Sequence, residues 1–224
     1  MARKISKDEQ ALITTLYTNL PTDNFMVCEQ VKIALGIAKK YLSGVARKYD
    51  VEDNMYTHAL RVALDASIYA KSISESGFYR YDLVIIALLH DVIEDVDSSE
   101  LRKDLEAFRM PNNQNKILEG IFALTNNDGK IAEIGKAKYM VSKFNELSKG
   151  PKEIFAIKLM DRIDNLTCLS LLDRTDNEQD LFSSYYLAST QLIFDELSIA
   201  DYVVPNSTYI YYNELISILN KNRF

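Results

Sequence analysis

Apolar residues recur at intervals of three and four along almost the whole chain, the spacing that lines one face of an α-helix. In "SKDEQALITTLYTNL", Ser6 is the expected N-cap and Glu9, three residues later, completes a capping-box pattern. Val27, Val31, Leu35, Ala38 and Leu42 predict a second helix ending near Tyr49. A third, from about Met55 to Ile73, stacks Leu60, Ala63, Leu64 and Ile68 on one side, and "SESGFYR" breaks it. From Tyr81 to Asp95 the chain is apolar nearly all round, which marks a central, buried helix.

Asp97 or Ser98 is expected to cap a helix running to about Phe108, and Pro111 sits near the start of another that ends around Leu124. "TNNDGK" reads as a loop, followed by a helix of mixed charge over roughly 131–148. Gly150 closes that helix and Pro151 opens the strongly apolar "EIFAIKLMDRIDNLTCLSLL". Two more helices are expected over about 177–198 and 207–222. The former carries Tyr185 and Tyr186 and an apolar stripe of Leu181, Tyr185, Leu192 and Leu197, readable as core or as a surface for a second copy of the chain. With no repeat, low-complexity tract or linker, the expectation is one all-α, multi-helix domain over 1–224, with a motif-bearing core at about 25–175 and the C-terminal helices packed on it.

Composition sharpens this picture. The 224 residues suffice for one domain with a sizeable core, and only 7 Gly and 4 Pro leave too few turn residues for an all-β or α/β fold. A net charge of -6 and a pI near 5.1 argue against binding nucleic acid or an anionic membrane through bulk charge. Cys28 and Cys168 lie far apart and outside any CxxC pair, so neither a disulfide framework nor a zinc ribbon is expected. The polar N-terminus and the lack of an 18-residue apolar run point to a cytoplasmic protein.

The candidate chemistry centres on "ALLHDVIEDV", where His90, Asp91, Glu94 and Asp95 are hemmed in by apolar residues. The chain has two histidines, and the other, His58, lies near the start of the preceding long helix. Imidazole and carboxylate together suit a divalent ion. Asp161 interrupts the apolar stripe of Ile154, Ile157 and Leu159, and a bare carboxylate there is costly unless it is paired or bound to a cation. Lys158 or Arg162 could be its ion-pair partner. Glu94 and Asp95 stand four residues beyond His90 and Asp91, which on a helix places them one turn away on the same face, suited to activating water.

This pattern, H…HDxxED…D in an all-α setting, resembles the HD phosphohydrolase superfamily. The ED extension is similar to one branch, the hydrolase domain of the RelA/SpoT alarmone enzymes and their small relatives. "ALGIAKKYLSGVARKY" looks like the family's "ALxFAxxxHxGQxRKSG", "HALRVA" like "HPxxVA", "ALLHDVIEDVD" like "ALLHDVVEDTD", "ALTNN" like the "xLTK" segment, and "IKLMDRIDNL" like "IKLADRLHNM". The resemblance covers about residues 34–172. It departs most between Lys48 and His58, where "YDVEDNMYT" replaces a shorter Gly- and Pro-bearing link and brings three acids.

Carried over residue by residue, the resemblance implies that His58, His90, Asp91 and Asp161 hold one divalent ion, Mn²⁺ in this family. It implies that Glu94 and Asp95 orient and deprotonate the attacking water. Asn165 would contact the nucleotide's sugar, and Arg47 and Lys48 would meet its base and phosphates. The implied reaction removes the 3'-pyrophosphate from (p)ppGpp to give GDP or GTP, and no synthetase or regulatory domain fits in the remaining residues. Two alternatives stand beside it: hydrolysis of another nucleotide, such as NADPH or a different nucleoside polyphosphate, and a non-catalytic nucleotide sensor.

Overall fold

In a computed structural model of the chain, residues 6–21, 24–47, 50–73, 81–94, 100, 103–104 and 114–170 are described. Apart from one two-stranded hairpin, their regular structure is α-helical, as the apolar spacing predicts. Two units divide the chain, Met1–Thr125 and Asn126–Phe224.

The first unit begins with α1 (Glu9–Asn19). Its cap is Asp8, whose carboxylate accepts from the Ala11 amide at 3.1 Å, and not Ser6, whose hydroxyl accepts from the Asp8 amide instead. The carboxylate also complements the positive end of the helix dipole. Helix α2 (Phe25–Leu42), capped by Asn24, stops well short of Tyr49. Ser43 and Gly44 are poor helix formers. The backbone beyond them pairs in an antiparallel hairpin, β1 (Ala46–Arg47) with β2 (Asp50–Asn54), which the sequence reading did not foresee.

The hairpin is tied directly to the next helix. The Met55 amide donates to the Val45 carbonyl at 2.9 Å, and Asn54, opposite Ala46 in the hairpin, caps α3 (Met55–Ser72). Asn54 and Thr57 form a reciprocal capping box. The buried side of α3 carries Ala59, Leu60, Ala63, Ala66 and Ala70, while Ile68, expected on that side, is exposed. Small residues on a buried face let neighbouring elements approach closely. Helices α1, α2 and α4 (Asp82–Leu89) all pack on α3.

Every residue of α4 is buried, so its all-round apolar character holds. Each of its large aliphatic side chains contributes about 1.5–3 kcal/mol by leaving water. The α-helix nevertheless ends at Leu89, not Asp95: the Val92 amide donates to Leu89 and that of Glu94 to Asp91, a tighter turn. Helix α5 (Gln114–Leu124) packs on α4 and buries Ile117, Ile121 and Leu124.

In the second unit the expected loop at "TNNDGK" is partly helical. Asn127 caps α6 (Asp128–Ile134), accepting from the Lys130 amide at 3.0 Å. Gly135, at φ 81° and ψ 150°, splits the expected 131–148 helix, because no side-chain-bearing residue adopts that backbone cheaply. Helix α7 (Lys136–Ser148) follows, and its buried Tyr139 hydroxyl accepts from the Asn127 amide at 2.8 Å. Helix α8 (Lys152–Ser170) packs on α7, with Phe144 and Phe155 edge-to-face at 6.0 Å. The helices expected over 177–198 and 207–222 lie outside the described residues, as do the Asp97/Ser98 cap and the break at 74–80. Of the helix expected to run to Phe108, Glu100, Lys103 and Asp104 are described, and they are helical. Among the described residues no helix is long and apolar enough to cross a membrane.

Candidate metal centre

Helices α3 and α4 bring three of the predicted ligands together within the first unit. His58 stands one turn into α3, where the capping box fixes the start of the helix. His90 follows the last residue of α4, and Asp91 follows it. Both imidazoles are buried, while the Asp91 side chain keeps 13% of its surface and opens the group to solvent. Asp91 Oδ2 lies 3.5 Å from His58 Nε2 and 3.2 Å from His90 Nε2. The imidazole rings meet edge-on with centroids 5.3 Å apart.

The chemistry of this donor set fits a divalent ion. A carbonyl oxygen only accepts, so the 2.7 Å contact between His90 Nδ1 and the Ala87 carbonyl places the proton on Nδ1. In its neutral form the ring then presents the Nε2 lone pair to Asp91. Two imidazole nitrogens around one carboxylate oxygen are favourable only with a positive charge among them, supplied by a cation or by a proton. Two donors at right angles and about 2.1 Å from a common ion stand about 3 Å apart, close to the spacing found. One ligand atom from each of the three residues lies within 4.8 Å of the others.

Asp161 belongs to the second unit, on α8, and is buried there. Its carboxylate is gripped from both directions along its own helix. Lys158 Nζ stands 2.9 Å from Oδ2, and the Asn165 amide donates to Oδ1 at 2.6 Å and to the Asp161 carbonyl at 2.9 Å. Of the two cations the sequence offered as its ion-pair partner, Lys158 stands at ion-pair distance. The guanidinium of Arg162 lies 5.7 Å over the Phe144 ring.

Glu94 is exposed, at the end of the turn that follows α4. It occupies its position through that turn rather than through the α-helical face the spacing implied, because the α-helix has already ended. Arg47 is half-buried on β1. Lys48 and Asp95 lie outside the described residues.

Sequence reasoning missed one constellation beside His58. Arg61 grips Asp53 with both arms of its guanidinium, Nη2 to Oδ2 at 2.6 Å and Nη1 to Oδ1 at 3.2 Å. The Thr57 hydroxyl donates to the same carboxylate, and Arg61 Nη1 also reaches the Ser6 carbonyl at 3.2 Å. Burial alone would raise the Asp53 carboxyl, but hydrogen bonds from Arg61 and Thr57, with the charges of Arg61 and Arg47, hold it below the ordinary carboxylate value. The available signal was an Arg within the buried face of "HALRVALDA", which demanded an acid nearby.

Residues 55–178, more than half of the chain, match the family model described as HD domain. No curated protein matches the chain.

Proposed function

The chain belongs to the HD-domain family, and from that premise we propose that it removes the 3'-pyrophosphate from (p)ppGpp, giving GDP or GTP. Membership makes it a metal-dependent phosphohydrolase, and its buried His58 and His90 with the partly exposed Asp91 are a donor set able to hold the ion. The finer reading takes Mn²⁺ as that ion and Asp161 as its fourth protein ligand. It is supported by the family match, which spans both 58–91 and 161.

When bound, such an ion neutralises phosphate charge and lowers the pKa of water it holds. The chain's residues would do the rest. Glu94, exposed beside Asp91, would take the proton from the attacking water, with Asp95 as its neighbour in that task. Arg47 and Lys48 would meet the base and phosphates, and Asn165 the sugar.

One observation carries the choice of substrate. HDxxED at 90–95 and KLxDRxxN at 158–165 occur together in this chain, alongside the Arg47-Lys48 pair. The longer link before His58 favours a second reading, the same hydrolysis applied to another nucleotide such as NADPH. Its three acids argue less strongly against a polyanion than the sequence suggests, since Asp53 is consumed by Arg61.

Incubating Mn²⁺-loaded protein with ppGpp, pppGpp, NADPH, GTP and dNTPs, with separation of products, tests both. Chelator-sensitive release of pyrophosphate from ppGpp is the expected result. Turnover of a different nucleotide alone would transfer the reading to that substrate, and no turnover with metal bound would favour a sensor.

A further inference from the structure

The link between Lys48 and His58 departs most from the family pattern, and it carries a buried anchor. Asp53 is the next-to-last residue of the hairpin strand β2, and Arg61 lies two turns into α3. Their forked pair is buried on both sides, with side-chain exposures of 0% and 5%. A planar guanidinium matched to a carboxylate by two bonds fixes orientation as well as distance. Beside it, the Asn54–Thr57 capping box and the Met55–Val45 bond hold the hairpin to the start of α3. Arg47 sits on the opposite strand, paired with Asp50.

We propose that Asp53 and Arg61 are positioning residues: they lock the β1–β2 hairpin onto α3 and so hold Arg47 where a nucleotide substrate meets it, setting substrate affinity without touching substrate or metal. This rests on the reading of the chain as a nucleotide phosphohydrolase in which Arg47 contacts the substrate. The forked pair does what a shorter, Gly- and Pro-stiffened link would otherwise do. A longer link has more conformational freedom to lose, and a buried ionic fork is the kind of contact that selects one arrangement. The Arg61 bond to the Ser6 carbonyl extends the same anchor to the segment before α1.

The test is a double-mutant cycle on the Mn²⁺-loaded full chain, using whichever of ppGpp, NADPH and GTP the parent turns over fastest. Asp53→Asn is expected to raise KM about tenfold, comparable to losing one charged contact, with kcat and bound Mn²⁺ changed less than about twofold. Arg47→Ala is expected to raise KM by a similar factor. The combination should match Arg47→Ala alone, because Asp53 acts through Arg47. Multiplied effects, or loss of kcat or metal in place of a KM change, would overturn the proposal.

Asp53→Asn leaves a buried guanidinium without its charge partner and could fail to fold. Asp53→Asn with Arg61→Gln removes both charges and gives a neutral second variant for the same cycle. Hydrogen exchange then reads the anchor itself. Amides of residues 45–47 and 54–55 should lose protection while the later turns of α3 keep theirs, and unchanged hairpin protection would sink the idea. A parent that hydrolyses NADPH or GTP but not ppGpp would overturn the ppGpp assignment and leave the cycle readable. A parent that turns over none of the three would overturn both.

Discussion

His90 donates its Nδ1 proton to the carbonyl of Ala87 across 2.7 Å, three residues back along α4. The buried end of an apolar helix thereby sets which nitrogen of the ring faces Asp91. A backbone carbonyl cannot rotate away as a side chain can, so tautomer and ring orientation are both fixed before any ion arrives.

His58→Ala and His90→Ala should each weaken Mn²⁺ binding by at least about 100-fold, beyond the range seen for residues that only support a ligand. Metal content after dialysis, measured by mass spectrometry on the folded variants, checks this. Retention of one equivalent by either variant would remove that histidine from the ligand set.

Glu94→Gln should keep full Mn²⁺ content and lose about 100- to 10,000-fold in kcat, the range for removing a general base. Its exposure makes the substitution structurally cheap, so thermal stability should stay within about 0.5 kcal/mol of the parent. Turnover at the parent's rate would take the catalytic role from Glu94.

Asn165→Ala separates two roles. The amide bond to Asp161 Oδ1 at 2.6 Å predicts a loss of Mn²⁺ affinity of about 10- to 100-fold if Asp161 is a ligand. A sugar contact predicts a raised Michaelis constant with metal affinity intact. Metal titration and steady-state kinetics on the same preparation distinguish the two.

Acid should release the Asp53 anchor. The carboxyl is depressed in the folded state, so its contribution is complete above its ordinary value of 3.8 and is lost as pH falls through the lower folded value. The difference in melting temperature between the parent and Asp53→Asn should therefore be constant from pH 7 to about 5 and shrink below the ordinary value. A difference that does not change down to pH 2 would mean that the carboxylate's charge contributes nothing there.

Gly135→Ala should destabilise the chain by about 1–3 kcal/mol, because its φ of 81° and ψ of 150° fall where a Cβ is strained. Open space around the position leaves backbone strain as the cause, not collision. Urea denaturation measures it, and an unchanged midpoint would mean that α6 and α7 can merge into one helix.

Periodicity alone determined the helical class, the all-round burial of α4 and the start of α3 within a residue, since these depend on which side chains avoid water. The identity of the metal-binding candidates was also in the sequence, since two histidines and an HD pair among apolar residues admit few other uses. Local competition that periodicity does not see decided the rest. Gly135 cut one expected helix in two, and a hairpin took over the end of another after Gly44, because backbone hydrogen bonds found better partners there. Helical spacing within α8 brought Lys158 to Asp161, a tighter local turn took the Glu94 segment out of the α-helix, and tertiary structure alone hid Asp53 beneath Arg61. That last outcome depends on how two buried charges find one another across eight residues and two elements, a distance over which sequence spacing carries no direction.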